Sequence, residues 1–290
     1  MKVMNARQAL DEAIEVIKKG ATMCLVTIEE TIGSTPRTKD AFMFVNENGD
    51  IWGTVGGGRV ELESIKDALG FLKNKENGTK KYFLDSTSKE SLQMVCGGNV
   101  IANFECIDNN YDLEALKQRL IPNDETKGRA IIFGAGHVGS HLSKVLSYVG
   151  FDVVIWDDRQ KCAEQEFDKN VQLIISPFKE VNDKLNITEN DYVMIMTSGH
   201  VADLDVLKQT LKTHPWYIGC IGSKSKTQFL NEELKNYGYR DEDIARIHLP
   251  IGFTTGAESP EEIAVSIAAE LILSRSIKEK RRKVEGMKNK

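Results

Sequence analysis

Ala130-Ile131-Ile132-Phe133-Gly134-Ala135-Gly136-His137-Val138-Gly139-Ser140 reads as a short apolar strand, a glycine turn and the opening of a helix. Gly134 suits the tight turn, Gly136 lets backbone approach a pyrophosphate, and Gly139 permits close packing of helix on strand, while the helix N-terminus supplies free N–H donors. The next apolar run, 153–156, ends at Asp157, which is placed to accept hydrogen bonds from a ribose diol. Further short apolar runs at 171–175, 192–196 and 216–221 alternate with helical stretches, which implies a parallel sheet covered on both faces. Residues 129–276 therefore read as a Rossmann-like, doubly wound α/β domain that binds a dinucleotide.

Working outward, the other turns after these strands are polar and rich in glycine: Thr197-Ser198-Gly199-His200, Gly222-Ser223-Lys224-Ser225, and 252–258 with Gly256. In an open α/β sheet the ligand sits beyond the carboxyl ends of the strands, so these turns and the first converge on one crevice. His137 belongs to that first turn, and His200 has the chemistry for an acid, a base or a phosphate donor. His214, before Pro215, reads as a loop residue. A last helix starts at Ser259-Pro260-Glu261-Glu262, with Ser259 as cap and Glu262 completing a capping box, and runs to about Arg275. Residues 277–290 are basic and read as a solvated tail.

Upstream, residues 111–128 form a linker, in which a short polar helix gives way to Pro122-Asn123-Asp124-Glu125 and apolar periodicity ends. Residues 1–110 are a mixed α+β domain: an amphipathic helix over 6–18, a strand at 23–28, a hairpin from 42–45 into 51–55, a helix over 60–73, and strands at 81–84 and 100–106. Two of its turns draw attention. Gly53-Thr54-Val55-Gly56-Gly57-Gly58 precedes a helix carrying Glu61 and is an anion cradle in principle. Cys96 stands beside Gly97 and Gly98, which leave its sulfur open to a bulky ligand, and Arg37 is a cation that would favour its thiolate.

The composition narrows the function. Lys and Arg number 38 against 43 Asp and Glu, a net charge of −5, which gives no long-range attraction for nucleic acid. No apolar run approaches the roughly 18 to 20 residues of a spanning helix, so no membrane association is expected and a cytoplasmic location is. Five cysteines without a C-x-x-C pair disfavour a disulfide framework and a structural zinc site.

Gly33-Ser34-Thr35-Pro36-Arg37, the 53–58 turn with Glu61, Cys96-Gly97-Gly98, the 134–139 turn with Asp157-Asp158-Arg159, Gly199-His200 with Asp205, Ile221-Gly222-Ser223-Lys224, and Gly256 with Pro260-Glu261-Glu262-Ile263-Ala264 occur in one order along nearly the whole chain. In this the sequence resembles the xanthine dehydrogenase accessory factor (XdhC/CoxI) family. The resemblance implies a chaperone that binds the molybdenum cofactor, as molybdopterin or its dinucleotide form. It further implies sulfuration of that cofactor with a cysteine desulfurase, insertion into a molybdenum hydroxylase of the xanthine dehydrogenase type, and a homodimer. On this reading the cofactor meets Arg37, Gly56, Gly57, Gly58, Cys96, Gly97 and Gly98 in the first domain, with Cys96 as a transient molybdenum contact. In the second it meets Gly134, Gly136, His137, Gly139, Asp157, Ser198, His200, Gly222, Ser223 and Gly256. Two alternatives stand beside it: an NAD(P)-dependent oxidoreductase in which His200 relays a proton, and a nucleotide-sensing regulator. The oxidoreductase accounts for Gly134 to Gly139 and Asp157 and leaves the first domain's glycine turns and Cys96 unexplained; the regulator performs no chemistry.

Overall fold

The computed structural model describes residues 6–32, 41–84, 99–121 and 128–288, which fall into two compact units, Met1–Asn123 and Asp124–Lys290. Arg37, Cys96, Gly97 and Gly98 lie outside the described residues.

In the first unit, the strands β1 (Met23–Ile32), β2 (Phe42–Asn46), β3 (Ile51–Gly53), β4 (Gly78–Phe83) and β5 (Asn99–Ile107) form one antiparallel sheet in the order β3-β2-β1-β5-β4. The period-2 alternation of β1 sends Met23 and Leu25 to one face and Cys24, Val26 and Ile28 to the other. Both faces are covered. The helix α1 (Ala6–Lys18) buries Leu10, Ala13, Ile14 and Ile17 on the first, and α2 (Gly58–Asn74) buries Val60, Ala68 and Leu72 on the second. The short helix α3 (Leu113–Leu120), capped by Asp112 Oδ1 on the Ala115 N–H at 2.9 Å, adds Leu116 to the α1 layer. β1 continues past the apolar run that ends at Ile28, because Glu30, Thr31 and Ile32 pair through their main chain with Ile101, Val100 and Asn99 after a bulge. Backbone pairing at the end of a strand needs no alternating apolar side chains, so periodicity gives no signal for it.

The second unit holds a six-stranded, all-parallel sheet of β6 (Ala130–Phe133), β7 (Val153–Asp157), β8 (Gln172–Ile175), β9 (Tyr192–Ile195), β10 (Tyr217–Cys220) and β11 (Ile247–His248). Their order, β11-β10-β9-β6-β7-β8, is that of a doubly wound Rossmann fold, with the reversal between β6 and β9. One face carries α4 (His137–Tyr148), and the other carries α5 (Val181–Lys184), α6 (His200–Thr213) and α7 (Lys224–Asn236), with α8 (Asp241–Ile244) at its margin. The last helix, α9 (Pro260–Lys288), packs beside α4 through Ile267, Ala268 and Leu271.

The expected capping box of α9 is present: Ser259 Oγ accepts the Glu262 N–H at 3.2 Å, and Glu262 Oε2 accepts the Ser259 N–H at 3.1 Å. The helix does not stop near Arg275, however, and the basic stretch after it is helical to Lys288. Its cations have aromatic partners at or just before the starts of the strands. Arg275 lies 4.2 Å from the Phe151 ring, Lys278 lies 5.2 Å from Tyr192, and Arg281 lies 5.6 Å from Trp216. Lys278, only 4% exposed, also donates to the Asn190 carbonyl at 2.7 Å. Long basic side chains lay their stems on apolar surface while their heads find rings and carbonyls, so a run that looks solvated in sequence docks as a helix. Among the described residues no helix is long and apolar enough to cross a membrane.

Candidate functional site

The two strands at the reversal send their following helices to opposite faces, so the turns after β6 and β9 part and open a crevice. The three glycines of the first turn have different neighbours. Gly134, at φ +115°, presses its α-carbon against the end of β9, where an added Cβ would lie 2.2 Å from the Met196 carbonyl oxygen. A Cβ on Gly139 would lie 1.9 Å from the Gly134 carbonyl oxygen, which is the close helix-on-strand packing expected of it. Gly136 differs from both: it caps α4 without a side-chain hydrogen bond, and a Cβ there meets nothing within 4 Å. Exposed His137 is the first helical residue, and Gln165 bonds the turn on another side, donating to the Ala135 carbonyl at 3.1 Å and accepting the Ser140 hydroxyl at 2.8 Å.

Asp157 is only 1% exposed, and its carboxylate is fully used. Oδ2 accepts the Ala135 N–H at 2.7 Å and Arg159 Nη2 at 2.8 Å, while Oδ1 accepts the Arg159 N–H at 2.9 Å and Arg159 Nε at 2.8 Å. Burial alone would raise the carboxyl's pKa, but the bidentate Arg159 and the two backbone donors outweigh it and hold the group down at about 2. An ionised carboxylate has about four acceptor positions, and here all are taken from within the chain. Asp157 braces the glycine turn against the end of β7.

Across the reversal the arrangement is open. Thr197, Ser198, Gly199, His200, Lys226 and Phe229 line a pocket of about 400 Å³ between the starts of α6 and α7. Asp203, wholly buried in the first turn of α6, organises its floor. Its Oδ1 accepts the Thr197 hydroxyl at 2.7 Å and the Thr197 N–H at 3.0 Å, and its Oδ2 forms an ion pair with Lys226 Nζ. The His200 and Phe229 rings stand edge to face, 5.0 Å apart at 84°, and form the aromatic wall. Gly199 caps α6 without a side-chain hydrogen bond, as Gly136 caps α4.

Of the other expected contacts, Ser198 and His200 line this pocket. Ser223 caps α7 through the Lys226 N–H at 3.3 Å, and Gly222 packs on Leu249; neither lines it. Gly256 is exposed at φ +76° with nothing within 4 Å of an added Cβ. Sequence pattern alone does not single out Lys226 or Phe229. A signal for Lys226 exists: α7 begins with Lys224 and Lys226 and no acidic residue in its first turn, the reverse of what a helix dipole favours.

In the first unit, Gly56, Gly57 and Gly58 all have positive φ, at 126°, 73° and 63°. The cradle they form is already filled. Glu61 Oε2 accepts the Val55 and Gly57 N–H groups, each at 3.2 Å, and also the Thr54 hydroxyl. The chain's own carboxylate sits where an external anion was expected. A larger cavity on this unit, about 1020 Å³, is lined by residues of β1, β5 and α3, with Glu29, Glu30 and Glu105 against Arg119, an acidic excess that disfavours an anionic guest. Of the thiols, Cys24 and Cys220 are buried, and desolvation pushes both up to about 12. Among the described residues, no three His, Cys, Asp or Glu side chains cluster as a metal site.

Comparison with known proteins gives two family matches: "XdhC and CoxI family" over residues 16–82 and "XdhC Rossmann domain" over residues 130–271. Among curated relatives, YqeB of Escherichia coli, described as uncharacterized, is 27% identical over 263 residues, covering 90% of this chain and 45% of the relative. A probable subunit of xanthine dehydrogenase from Bacillus subtilis is 30% identical over 152 residues, covering 52% and 44%. The molybdenum cofactor insertion chaperone PaoD of Escherichia coli is 22% identical over 298 residues, covering 91% and 87%. The chain thus spans less than half the length of the first two. A crystal structure from Bacillus halodurans, described as a xanthine dehydrogenase, superposes with a TM-score of 0.77 at 25% identity, covering 92% of this chain and 95% of that one.

Proposed function

Because the chain belongs to the XdhC and CoxI family, we propose that it is a molybdenum cofactor chaperone serving a hydroxylase of the xanthine dehydrogenase type. The cofactor is its cargo, as molybdopterin or the dinucleotide form, and the phosphate end is held at the crevice of the second unit. The observation that carries this reading is Gly136: α4 has no side-chain cap and the space beside its cap residue is open, the setting in which backbone N–H groups bind a phosphate. The name of the relative PaoD supports the same cargo and task. In this reading Cys96 meets the metal end, the client receives a sulfurated cofactor prepared with a cysteine desulfurase, and the chaperone works as a cytoplasmic homodimer.

An NAD(P)-dependent oxidoreductase is the weaker reading, because it asks Asp157 for a ribose acceptor that Arg159 and Ala135 already occupy. The test is molybdenum and pterin content of the protein purified from a molybdenum-replete host, beside a nicotinamide dinucleotide titration. Wild type is expected to carry molybdenum and pterin. Gly136→Val is expected to lose both while staying folded, and Cys96→Ala to deliver less client activity per molybdenum inserted. Equal retention by wild type and Gly136→Val excludes the crevice, and full client activity with Cys96→Ala returns that thiol to a structural role.

A further inference from the structure

The two sides of the crevice are not equivalent. On the β7 side, where an ordinary dinucleotide places its ribose, Asp157 has given all its acceptor positions to Arg159 and to the glycine turn. On the β9 side a pocket of about 400 Å³ combines a lysine and two aromatic rings. Lys226 is held there by Asp203, a wholly buried carboxylate beneath the pocket, so its ammonium is fixed in place before any ligand arrives. Phe229 is 39% exposed despite its size. A phenyl ring left in solvent beside a tethered lysine suits a flat ring that bears an anionic tail.

We propose that this pocket, not the β7 side, seats the heterocycle of a phosphorylated ligand, with Phe229 and His200 against the ring and the phosphate between Lys226 and the start of α4. The inference rests on the reading of the crevice as a phosphate site and adds the direction in which the ligand runs from it. It makes Lys226 and Phe229 binding residues and Asp157 a positioning residue. The ligand class is a phosphate or pyrophosphate ester of a planar nitrogen heterocycle.

The experiment uses the full chain and two probes, an azidoadenine nucleoside diphosphate for photolabelling and inorganic pyrophosphate as competitor. Lys226→Met would strand the buried Asp203 carboxylate and test folding rather than binding, so Phe229→Ala carries the test. Labelling is expected within α6 or α7. Phe229→Ala should weaken nucleotide binding about tenfold, the scale of one lost stacking contact, and leave pyrophosphate affinity unchanged. Labelling confined to residues 157–176, or a Phe229→Ala variant that binds the nucleotide like wild type, overturns the inference while leaving the phosphate site standing. A Gly136→Val variant that keeps its pyrophosphate affinity overturns the phosphate site alone, provided the label still falls on α6 or α7. Absence of saturable labelling in wild type overturns both.

Discussion

Two of the glycine turns that lead into helices, those before α2 and α4, have opposite relations to an anion. Before α2, Gly56 to Gly58 turn through positive φ, and Glu61 from the first turn of that helix reaches back to bond Val55 and Gly57. Before α4, Gly136 has an ordinary φ of −74° and no carboxylate from its own helix, whose first turn holds no acidic residue. Glycine spacing thus specifies exposed N–H groups but not their partner. What decides is whether an acid stands one turn into the helix, as Glu61 does and as nothing does in α4.

A side chain added where the two turns are most unlike should do the most damage. Gly139→Val places carbon 1.9 Å from the Gly134 carbonyl oxygen, a backbone atom with no rotamer to escape through. It should destabilise the second unit by about 3 kcal/mol or more, the upper range for overpacking. Thermal unfolding is the measure, and a native midpoint would mean that the packing of α4 on β6 is looser than these distances imply.

Next in size is the acid limb of stability. Asp157 is held down to about 2, below the ordinary carboxylate value of 3.8, so it stabilises the folded state above that ordinary value. The contribution is lost as pH falls from near 4 toward 2, and integrating the shift gives about 2 kcal/mol. Urea unfolding of wild type and Asp157→Asn across this window should show the difference narrowing as the pH drops. A gap that stays constant down to pH 2 rules out this titration. Glu61→Gln is smaller, about 1 to 2 kcal/mol, the scale of a charged hydrogen bond made neutral. Removing the carboxylate with Glu61→Ala should also empty the first cradle, so that sulfate stabilises this variant more than wild type. Equal stabilisation of the two by sulfate would mean that the cradle does not take a free anion.

Most of the fold was legible because it rests on periodicity and on glycine. The apolar runs at 130–133, 153–156 and 192–196 match β6, β7 and β9 nearly residue for residue, and the Ser259 capping box starts α9 where expected. Two features were not legible. β11 has only Ile247 and His248 and is set by pairing with β10, which leaves no sequence period. The basic stretch of α9 is ordered by Phe151, Tyr192 and Trp216, which are distant in sequence. The site was legible in part. Spacing separates the tightly packed Gly134 and Gly139 from the open Gly136, and Ser198 and His200 line a pocket after β9. That Arg159 closes Asp157 could not be read, since Asp-Asp-Arg after a strand is equally consistent with a free acid and an exposed arginine. Lys226 and Phe229 escaped because a lysine and a phenylalanine in an amphipathic helix look like surface and core.

The most modest substitution is also the most discriminating, because it separates the two turns by sign. Gly136 sits at φ −74°, where any residue is at ease, and a methyl group there touches nothing. Gly136→Ala should therefore stabilise the free protein by about 0.5 kcal/mol, through the lower entropy of its unfolded chain. Gly57 also has open space around an added Cβ, but its φ of +73° belongs to the left-handed region. Gly57→Ala should destabilise by about 1 to 2 kcal/mol, the strain of an L-residue held there. If Gly136 is kept for a ligand and Gly57 for backbone geometry, the first substitution raises the midpoint yet lowers pyrophosphate affinity, and the second only lowers the midpoint. Calorimetry with and without pyrophosphate reads both quantities in one series. A Gly136→Ala protein that is more stable and binds pyrophosphate as wild type does would remove the reason for glycine at that cap, and with it the distinction between the turns.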